Sequence, residues 1–291
     1  MPARPDGALA IETPDGVLLS GDLAGEQADG GREGSPIVLL HGLTATRRYV
    51  VMGSRLLERS GHRVIAYDAR GHGRSAPARS PGDYGYSLLA GDLLAVLDWL
   101  EVERATLVGA SMGAQTALRF ALDRPERVAA LTLITPAFDP DAPFGPDAYA
   151  GWDRLARGLR DGGVEGFVAA YELDAVPERW RETVTTVLRQ RISAHEHPLA
   201  VADALEAVPR SRPFERWEDL GAIAVPTLVV ASRDEADPGH PLAVGERYAR
   251  AIPGARLAVE EEGPPSQSPI AWQGGQLSKL IAGLVDERPG Q

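Results

Sequence analysis

The pentapeptide Gly109-Ala110-Ser111-Met112-Gly113 constrains the fold of this chain more than any other segment. It follows the apolar run 105–108 and precedes residues 114–121, whose apolar side chains recur at helical spacing. The pattern predicts a strand, a sharp turn and a helix, with glycine on both sides of the serine so that neighbouring backbone can pass. Ser111 would then project its hydroxyl at a helix N-terminus, whose free N–H groups favour an oxyanion. We interpret Ser111 as a candidate nucleophile.

Two other segments belong to the same pattern. The apolar run 36–40 ends in His41-Gly42-Leu43-Thr44, and a third run, 63–67, is followed by Asp68-Ala69-Arg70-Gly71-His72-Gly73. In this order and spacing, the three segments resemble the α/β-hydrolase family over about residues 8–140 and again over about 215–285. The pentapeptide alone would equally suit an ordinary turn with a surface serine, so the three segments together decide the interpretation.

The order of predicted elements indicates the fold class. A hairpin is predicted at 8–12 and 17–22, around Pro14-Asp15-Gly16. Strands are predicted at 36–40, 63–67, 105–109, 129–134, 226–231 and 256–259, and core helices at 47–59, 86–101, 112–123 and near 270–284. This alternation predicts an α/β fold with a mostly parallel central sheet and helices on both faces. Ligands of such sheets bind at the carboxyl ends of the strands, where Ser111 falls.

Between the predicted strands at 129–134 and 226–231, the pattern becomes purely helical. Helical stretches are predicted at 147–160, 163–172, 177–193 and 198–208, with no strand among them. The family resemblance implies a cap at this position. We therefore expect an all-helical cap at 141–214 and an α/β-hydrolase core formed by 1–140 and 215–291.

Composition narrows the possible partners. The chain has 291 residues and a net charge of −11, with no basic patch, which argues against nucleic acid and anionic membrane surfaces. It has no cysteine, so disulfides and thiolate chemistry are excluded. No apolar run approaches a membrane span or a signal-peptide core, so a cytoplasmic location is expected. No glycine-rich nucleotide motif occurs and no metal site is expected, so the predicted partner is a small molecule, with no cofactor.

The resemblance implies a carboxylate directly after the strand at 226–231. Asp234 stands there, in Ser232-Arg233-Asp234, and is the predicted acid. Asp237, three residues later, is the second candidate, with a competing interpretation as an aspartate that caps the helix beginning near Pro241. That competing interpretation is weaker for Asp234.

The resemblance also implies an oxyanion hole. Its donors would be the backbone N–H groups of Met112, just after the nucleophile, and Leu43, in the turn after the strand at 36–40. His41 and His72 are expected to brace their loops by hydrogen bonds rather than to act in catalysis.

The position of the general base departs from the family pattern. In the family a histidine follows the last strand, whereas this chain has Pro265 or Gln267 there, depending on the alignment. No histidine occurs after His240. Proline offers no side-chain hydrogen bond, and a glutamine amide cannot accept a proton at neutral pH.

Three explanations remain open. One is a relocated base, either His240 on the loop of Asp234 or His195 or His197 in the helical stretch. The second is a loss of hydrolysis, which would leave a ligand-binding or sensory protein. The third is a different proton acceptor, either a carboxylate such as Glu262 or a water molecule. The predicted function is that of a serine hydrolase acting on a small, largely apolar ester, lactone or related carbonyl compound, with the non-hydrolytic binding protein as the alternative.

Overall fold

A computed structural model of the chain describes residues 7–25, 35–260 and 274–286. Its centre is an eight-stranded sheet with the order β1-β2-β4-β3-β5-β6-β7-β8. The strands are β1 Gly7–Glu12, β2 Leu18–Ala24, β3 Ile37–Leu40, β4 Val64–Tyr67, β5 Ala105–Ala110, β6 Val128–Ile134, β7 Thr227–Ala231 and β8 Arg256–Val259.

The sheet is antiparallel at one edge and parallel elsewhere. β1 pairs with β2 as a hairpin in which Glu12 lies opposite Leu18, and β2 pairs antiparallel with β4. The pairs from β4 through β3, β5, β6 and β7 to β8 are all parallel. The short apolar strands β3 and β7 are buried along their whole length, as expected where helices cover both faces. The predicted fold class is therefore confirmed.

The α-helices of the described residues fall into two groups. Those packed on the sheet are α1 Leu56–Arg59, α2 Tyr86–Trp99, α3 Met112–Asp123, α7 Leu242–Ala251 and α8 Gly274–Asp286; α4 Pro146–Ala170, α5 Glu178–Ile192 and α6 Pro198–Ala207 lie between β6 and β7. One apolar cluster joins α2, α3 and α7 to the sheet through Leu93, Phe120 and Tyr248. A second cluster contains Leu57 of α1 and Ile281 of α8. Within the described ranges, no helix is long and apolar enough to cross a membrane.

The single helix predicted at 47–59 is wrong. The segment forms a 3-10 turn at Arg47–Tyr49 and the short helix α1, separated by Met52 and Gly53 with φ of 47° and 71°. These left-handed residues cannot continue a right-handed helix. The backbone N–H of Arg47 also donates to the Asp68 carboxylate at 2.9 Å, so the start of this segment is tied to the loop after β4.

Residues 146–210, between β6 and β7, form what we call the helical insertion. It contains α4, α5 and α6, and none of its residues lies in a strand. α4 merges two predicted helices across a kink at Gly163, where φ is 58°. Leu159, Phe167 and Leu188 of the insertion share an apolar cluster with Leu43 and Met112, the residues predicted around the oxyanion. The insertion therefore packs directly on the turns that flank Ser111.

Candidate active site

Ser111 lies at the sharp turn between β5 and α3. Its backbone has φ of 49° and ψ of −112°, a conformation that side-chain-bearing residues rarely adopt. A Cβ at Gly109 would overlap the carbonyl oxygen of Gly113, and one at Gly113 would overlap the carbonyl oxygen of Leu40. Glycine is required at both positions by this close approach of β3, β5 and α3, which together present the Ser111 hydroxyl.

His240 reaches Ser111 from the loop between β7 and α7. Its Nε2 lies 2.8 Å from Ser111 Oγ, and its Nδ1 lies 2.8 Å from both carboxylate oxygens of Asp237. A neutral ring with its proton on Nδ1 donates to Asp237 and accepts from the Ser111 hydroxyl. The structure thus brings Ser111, His240 and Asp237 into a line of hydrogen bonds with the geometry of a nucleophile, a base and an orienting carboxylate.

One tight turn positions both the imidazole and its carboxylate. Asp237-Pro238-Gly239-His240 is closed by a hydrogen bond from His240 N–H to the Asp237 carbonyl at 3.1 Å. Burial raises the pKa of Asp237, but the hydrogen bond from His240 and the electrostatic interactions with His240 and Arg191 outweigh it, so the net shift is downward. Asp237 therefore stays ionised and can stabilise a protonated imidazole.

Asp234, the predicted acid, does not contact His240. Its Oδ1 accepts a hydrogen bond from the N–H of Ala236 at 2.9 Å, so the carboxylate turns back onto its own loop. Burial, and then the negative charges of Asp237, Glu260 and Glu235, raise its pKa to about 6. The carboxylate that the structure brings to His240 is Asp237, the second candidate of the sequence, because one turn holds the Asp237 carboxylate against Nδ1 of the imidazole whose Nε2 reaches Ser111.

The turn after β3, residues 42–45, lies against the nucleophile. A Cβ built on Gly42 would lie 3.5 Å from Ser111 Cβ. The Gly42 carbonyl accepts hydrogen bonds from Ala45 N–H at 3.0 Å and from His41 Nδ1 at 2.8 Å. Because a carbonyl and the next N–H belong to one rigid peptide plane, these bonds also fix the direction of the Leu43 N–H.

The rings of His41, His72 and His195 form hydrogen bonds with backbone groups rather than with Ser111. His41 accepts from Ala69 N–H at 2.9 Å through Nε2, and His72 lies against the carbonyls of Arg70 and Leu43. His195 Nδ1 accepts from Gly73 N–H at 2.8 Å.

His197 caps α6 through its backbone carbonyl, which accepts a hydrogen bond from Ala200 N–H at 3.0 Å.

Pro265, Gln267 and Glu262, which the sequence singles out near the usual position of the base, lie outside the described residues. Within 7–25, 35–260 and 274–286, no group of three or more His, Asp or Glu side chains is arranged to hold a metal ion.

Arg191, in the last turn of α5, is a site residue that the sequence reasoning missed. Its Nε is buried and has no hydrogen-bond partner among the described residues. Its guanidinium lies 6.0 Å from the centre of the Tyr49 ring, and one terminal nitrogen would be 4.0 Å from a Cβ built on Gly42. Burial lowers the pKa of Arg191, while the charge of Asp237 opposes that shift. Arg191 follows the buried Leu188 by three residues, and this helical spacing was the available signal that it faces inward.

The chain is similar to known proteins both in sequence and in structure. A family model described as the alpha/beta hydrolase fold matches residues 35–267. "Putative carbamate hydrolase RutD" of Variovorax paradoxus is 34% identical over 72% of this chain and 77% of its own length. A "2-hydroxy-6-oxononadienedioate/2-hydroxy-6-oxononatrienedioate hydrolase 2" of Pseudomonas putida is 31% identical over 82% of this chain and 84% of its own. A solved thermophilic esterase from Thermogutta terrifontis, with malate bound, superposes with a TM-score of 0.71 at 27% identity, covering 95% of this chain and 97% of its own.

Proposed function

Because the chain belongs to the α/β-hydrolase fold family, we propose that it is a serine hydrolase whose nucleophile is Ser111. Its substrate would be a small ester, lactone or related carbonyl compound. The observation that carries this proposal is the 2.8 Å contact between His240 Nε2 and Ser111 Oγ, with Asp237 on the other ring nitrogen. A serine hydroxyl is a weak nucleophile unless a base in hydrogen-bond reach takes its proton.

The proposed reaction follows from this line of hydrogen bonds. Ser111 Oγ attacks the carbonyl carbon while its proton moves to His240 Nε2, and Asp237 stabilises the imidazolium that forms. The carbonyl electron pair moves to oxygen, where the N–H groups of Leu43 and Met112 would receive the negative charge. Collapse of this intermediate breaks the bond to the leaving group, which takes the proton from His240. Water then cleaves the acyl-enzyme by the same steps.

Arg191 supports a substrate that carries an anionic group. A guanidinium with a buried, unpartnered Nε beside Gly42 and Asp237 offers donors that a carboxylate fits, since paired N–H groups match its two oxygens. The name of the Pseudomonas putida relative denotes a dicarboxylate substrate. We therefore propose a largely apolar carbonyl compound with one carboxylate at the Arg191 end.

The alternative function, ligand binding without hydrolysis, depends on the absence of a histidine near residues 265–267. The position of His240 supports hydrolysis instead, because an imidazole from another loop lies within hydrogen-bond reach of Ser111 and offers the acceptor that the usual position lacks. Within the described residues, no observation separately favours the binding protein.

A fluorophosphonate probe tests the proposal. We expect intact-mass analysis to show one adduct on the wild-type protein, and none on Ser111→Ala. His240→Gln, which keeps the size of the side chain but cannot accept a proton, should lower the labelling rate by several orders of magnitude, as loss of a triad histidine does elsewhere. Equal labelling of wild type and Ser111→Ala, or no labelling at all, would count against a serine hydrolase.

A further inference from the structure

Three buried imidazole rings line the turn after β3. Their ring centroids are 5.2 Å apart for His41 and His72 and 5.5 Å apart for His72 and His195. Each ring has one nitrogen on a different one of three successive carbonyl oxygens. The pairs are His41 with Gly42 at 2.8 Å, His72 with Leu43 at 2.5 Å and His195 with Thr44 at 3.2 Å. The turn that carries the proposed oxyanion donor is thus held by a row of histidines.

His195 differs from the other two because it comes from the helical insertion. It lies on the loop between α5 and α6, and 151 residues of sequence separate it from Thr44. The same loop docks on Gly73 by two hydrogen bonds of 2.8 Å, from Gly73 N–H to His195 Nδ1 and from Glu196 N–H to the Gly73 carbonyl. Since Nδ1 accepts from Gly73, the ring proton must be on Nε2, which donates to the Thr44 carbonyl.

The surroundings of His195 keep its ring neutral. The residue is 7% exposed. Burial, and then the neighbouring His72, lower the pKa of His195 to about 3. At neutral pH the ring therefore retains one acceptor and one donor, which is the arrangement that both of its hydrogen bonds require.

A chain of peptide groups connects His195 to the proposed oxyanion hole. The Thr44 carbonyl and the Ala45 N–H share one peptide plane, and the Ala45 N–H donates to the Gly42 carbonyl at 3.0 Å. The Gly42 carbonyl shares its plane with the Leu43 N–H. A donor at Thr44 therefore orients and polarises each peptide group in turn, as hydrogen bonds in series do.

We propose that His195 is a positioning residue for the oxyanion turn, through which docking of the helical insertion sets the direction of the Leu43 N–H. This inference rests on the proposed function, because an oxyanion must form for the direction of that N–H to matter. His195 itself touches no reacting atom. Its loss would weaken stabilisation of the transition state more than binding of the substrate.

Two substitutions separate the two hydrogen bonds of His195. In His195→Asn the side-chain oxygen can replace Nδ1 as acceptor for Gly73 N–H, but the side chain is too short to reach Thr44. In His195→Gln the terminal amide lies near the position of Nε2 and can still donate to the Thr44 carbonyl. His197→Ala, two residues away on the same loop, is the matched control.

We expect kcat for 4-nitrophenyl acetate to fall roughly tenfold to a hundredfold in His195→Asn, less than the hundredfold to thousandfold that removal of an oxyanion donor costs. KM should change little, and affinity for a trifluoromethyl ketone, whose adduct carries an oxyanion, should weaken in parallel with kcat. His195→Gln should recover most of the loss, and His197→Ala should match wild type. The rate at which the fluorophosphonate labels Ser111 should rank the wild-type protein and the three variants in the same order, without the need for an ester substrate.

The outcomes distinguish this inference from the proposed function. If Ser111→Ala abolishes turnover while His195→Asn keeps the wild-type kcat and ketone affinity, the positioning role is wrong and the serine hydrolase stands. A fall in kcat that only follows the unfolded fraction, measured by circular dichroism at the assay temperature, would also overturn it. If the wild-type protein neither turns over the ester nor reacts with the phosphonate, the proposed function fails, and this inference fails with it.

Discussion

At the scale of single residues, two carboxylates of one loop differ because of what surrounds them. Asp237 faces an imidazole and a guanidinium, which hold its pKa below the usual value against the effect of burial. Asp234 is half-buried among other carboxylates, and burial raises its pKa to about 6. Three residues of separation are enough to reverse the sign of the shift, because only Asp237 is in contact with His240.

Substitution of these two carboxylates tests their roles. Asp237→Asn should lower kcat by about four orders of magnitude, since an amide can hold the ring in the wrong tautomer and cannot stabilise the imidazolium. Asp234→Asn, of equal size and on the same loop, should stay within a few-fold of wild type. Steady-state kinetics with 4-nitrophenyl acetate measure kcat for both variants. A larger loss in Asp234→Asn than in Asp237→Asn would indicate that Asp234 is the acid.

Arg191 provides a prediction about specificity. If it binds a carboxylate, Arg191→Met should reduce kcat/KM for 4-nitrophenyl hemisuccinate by roughly tenfold to a hundredfold, the size of a hydrogen bond to a charged group. The neutral 4-nitrophenyl butyrate, of similar length, is the matched control and should change little. Equal losses on both esters would mean that Arg191 stabilises the site without selecting an anion.

At the scale of elements, the strand–turn–helix around Ser111 depends on the close approach of β3, β5 and α3. Ser111 is held at a positive φ because the backbone on both sides is in contact with other backbone, which leaves no room for relaxation. Such strain persists only where the surrounding structure enforces it.

Glycine-to-alanine substitutions measure this packing. Gly109→Ala and Gly113→Ala place a methyl group on a backbone carbonyl, so we expect each to lose at least about 2 kcal/mol of the free energy of unfolding. Gly91→Ala is the control, because Gly91 is exposed in α2 with open space around it and should stabilise by roughly 0.5–1 kcal/mol. Urea unfolding followed by circular dichroism makes the comparison, and a neutral Gly113→Ala would show that the contact can relax.

At the scale of the whole molecule, the buried histidines connect stability to pH. Burial lowers the pKa of His41 and of His195 to about 3, from an ordinary value near 6.5. Between these values the unfolded chain binds more protons than the folded protein, so the free energy of unfolding falls as the pH falls from 6.5 towards 3. Asp234 has the opposite effect on the free energy of unfolding. Its pKa is raised to about 6 in the folded state, so below that pH the folded protein binds more protons at Asp234 than the unfolded chain does.

The contribution of His195 can be isolated by comparing variants. From pH 7.5 to pH 5, His195→Gln should lose less free energy of unfolding than wild type, because one buried imidazole no longer has to stay neutral. The contribution of Asp234 is common to both proteins and cancels. His197→Ala should lose as much as wild type, and urea titrations at the two pH values provide the measurement. An unchanged pH dependence in His195→Gln would mean that His195 protonates without cost in the folded protein.

Local patterns in the sequence were sufficient wherever structure depends on near neighbours. Spacing of apolar residues, together with positions that only glycine can occupy, predicts three features. These are the turn at Ser111, the hairpin around Asp15 and the alternation of strands and helices. The prediction of a helix at 47–59 was wrong because apolar spacing does not reveal left-handed residues such as Met52. Nor does it reveal the hydrogen bond from the Arg47 N–H to the Asp68 carboxylate. That bond joins segments that are distant in the sequence.

The sequence by itself determined the fold class, the position of Ser111 and the short list of groups that could serve it. Tertiary structure decided which of them meet: His240 with Ser111 across 129 residues, Asp237 rather than Asp234 on that imidazole, and His195 on the turn after β3. The physical reason is that a hydrogen bond depends on distances and directions within a few tenths of an ångström. Those are set by how loops from separate strands converge at one edge of the sheet, and no local pattern in the chain encodes them.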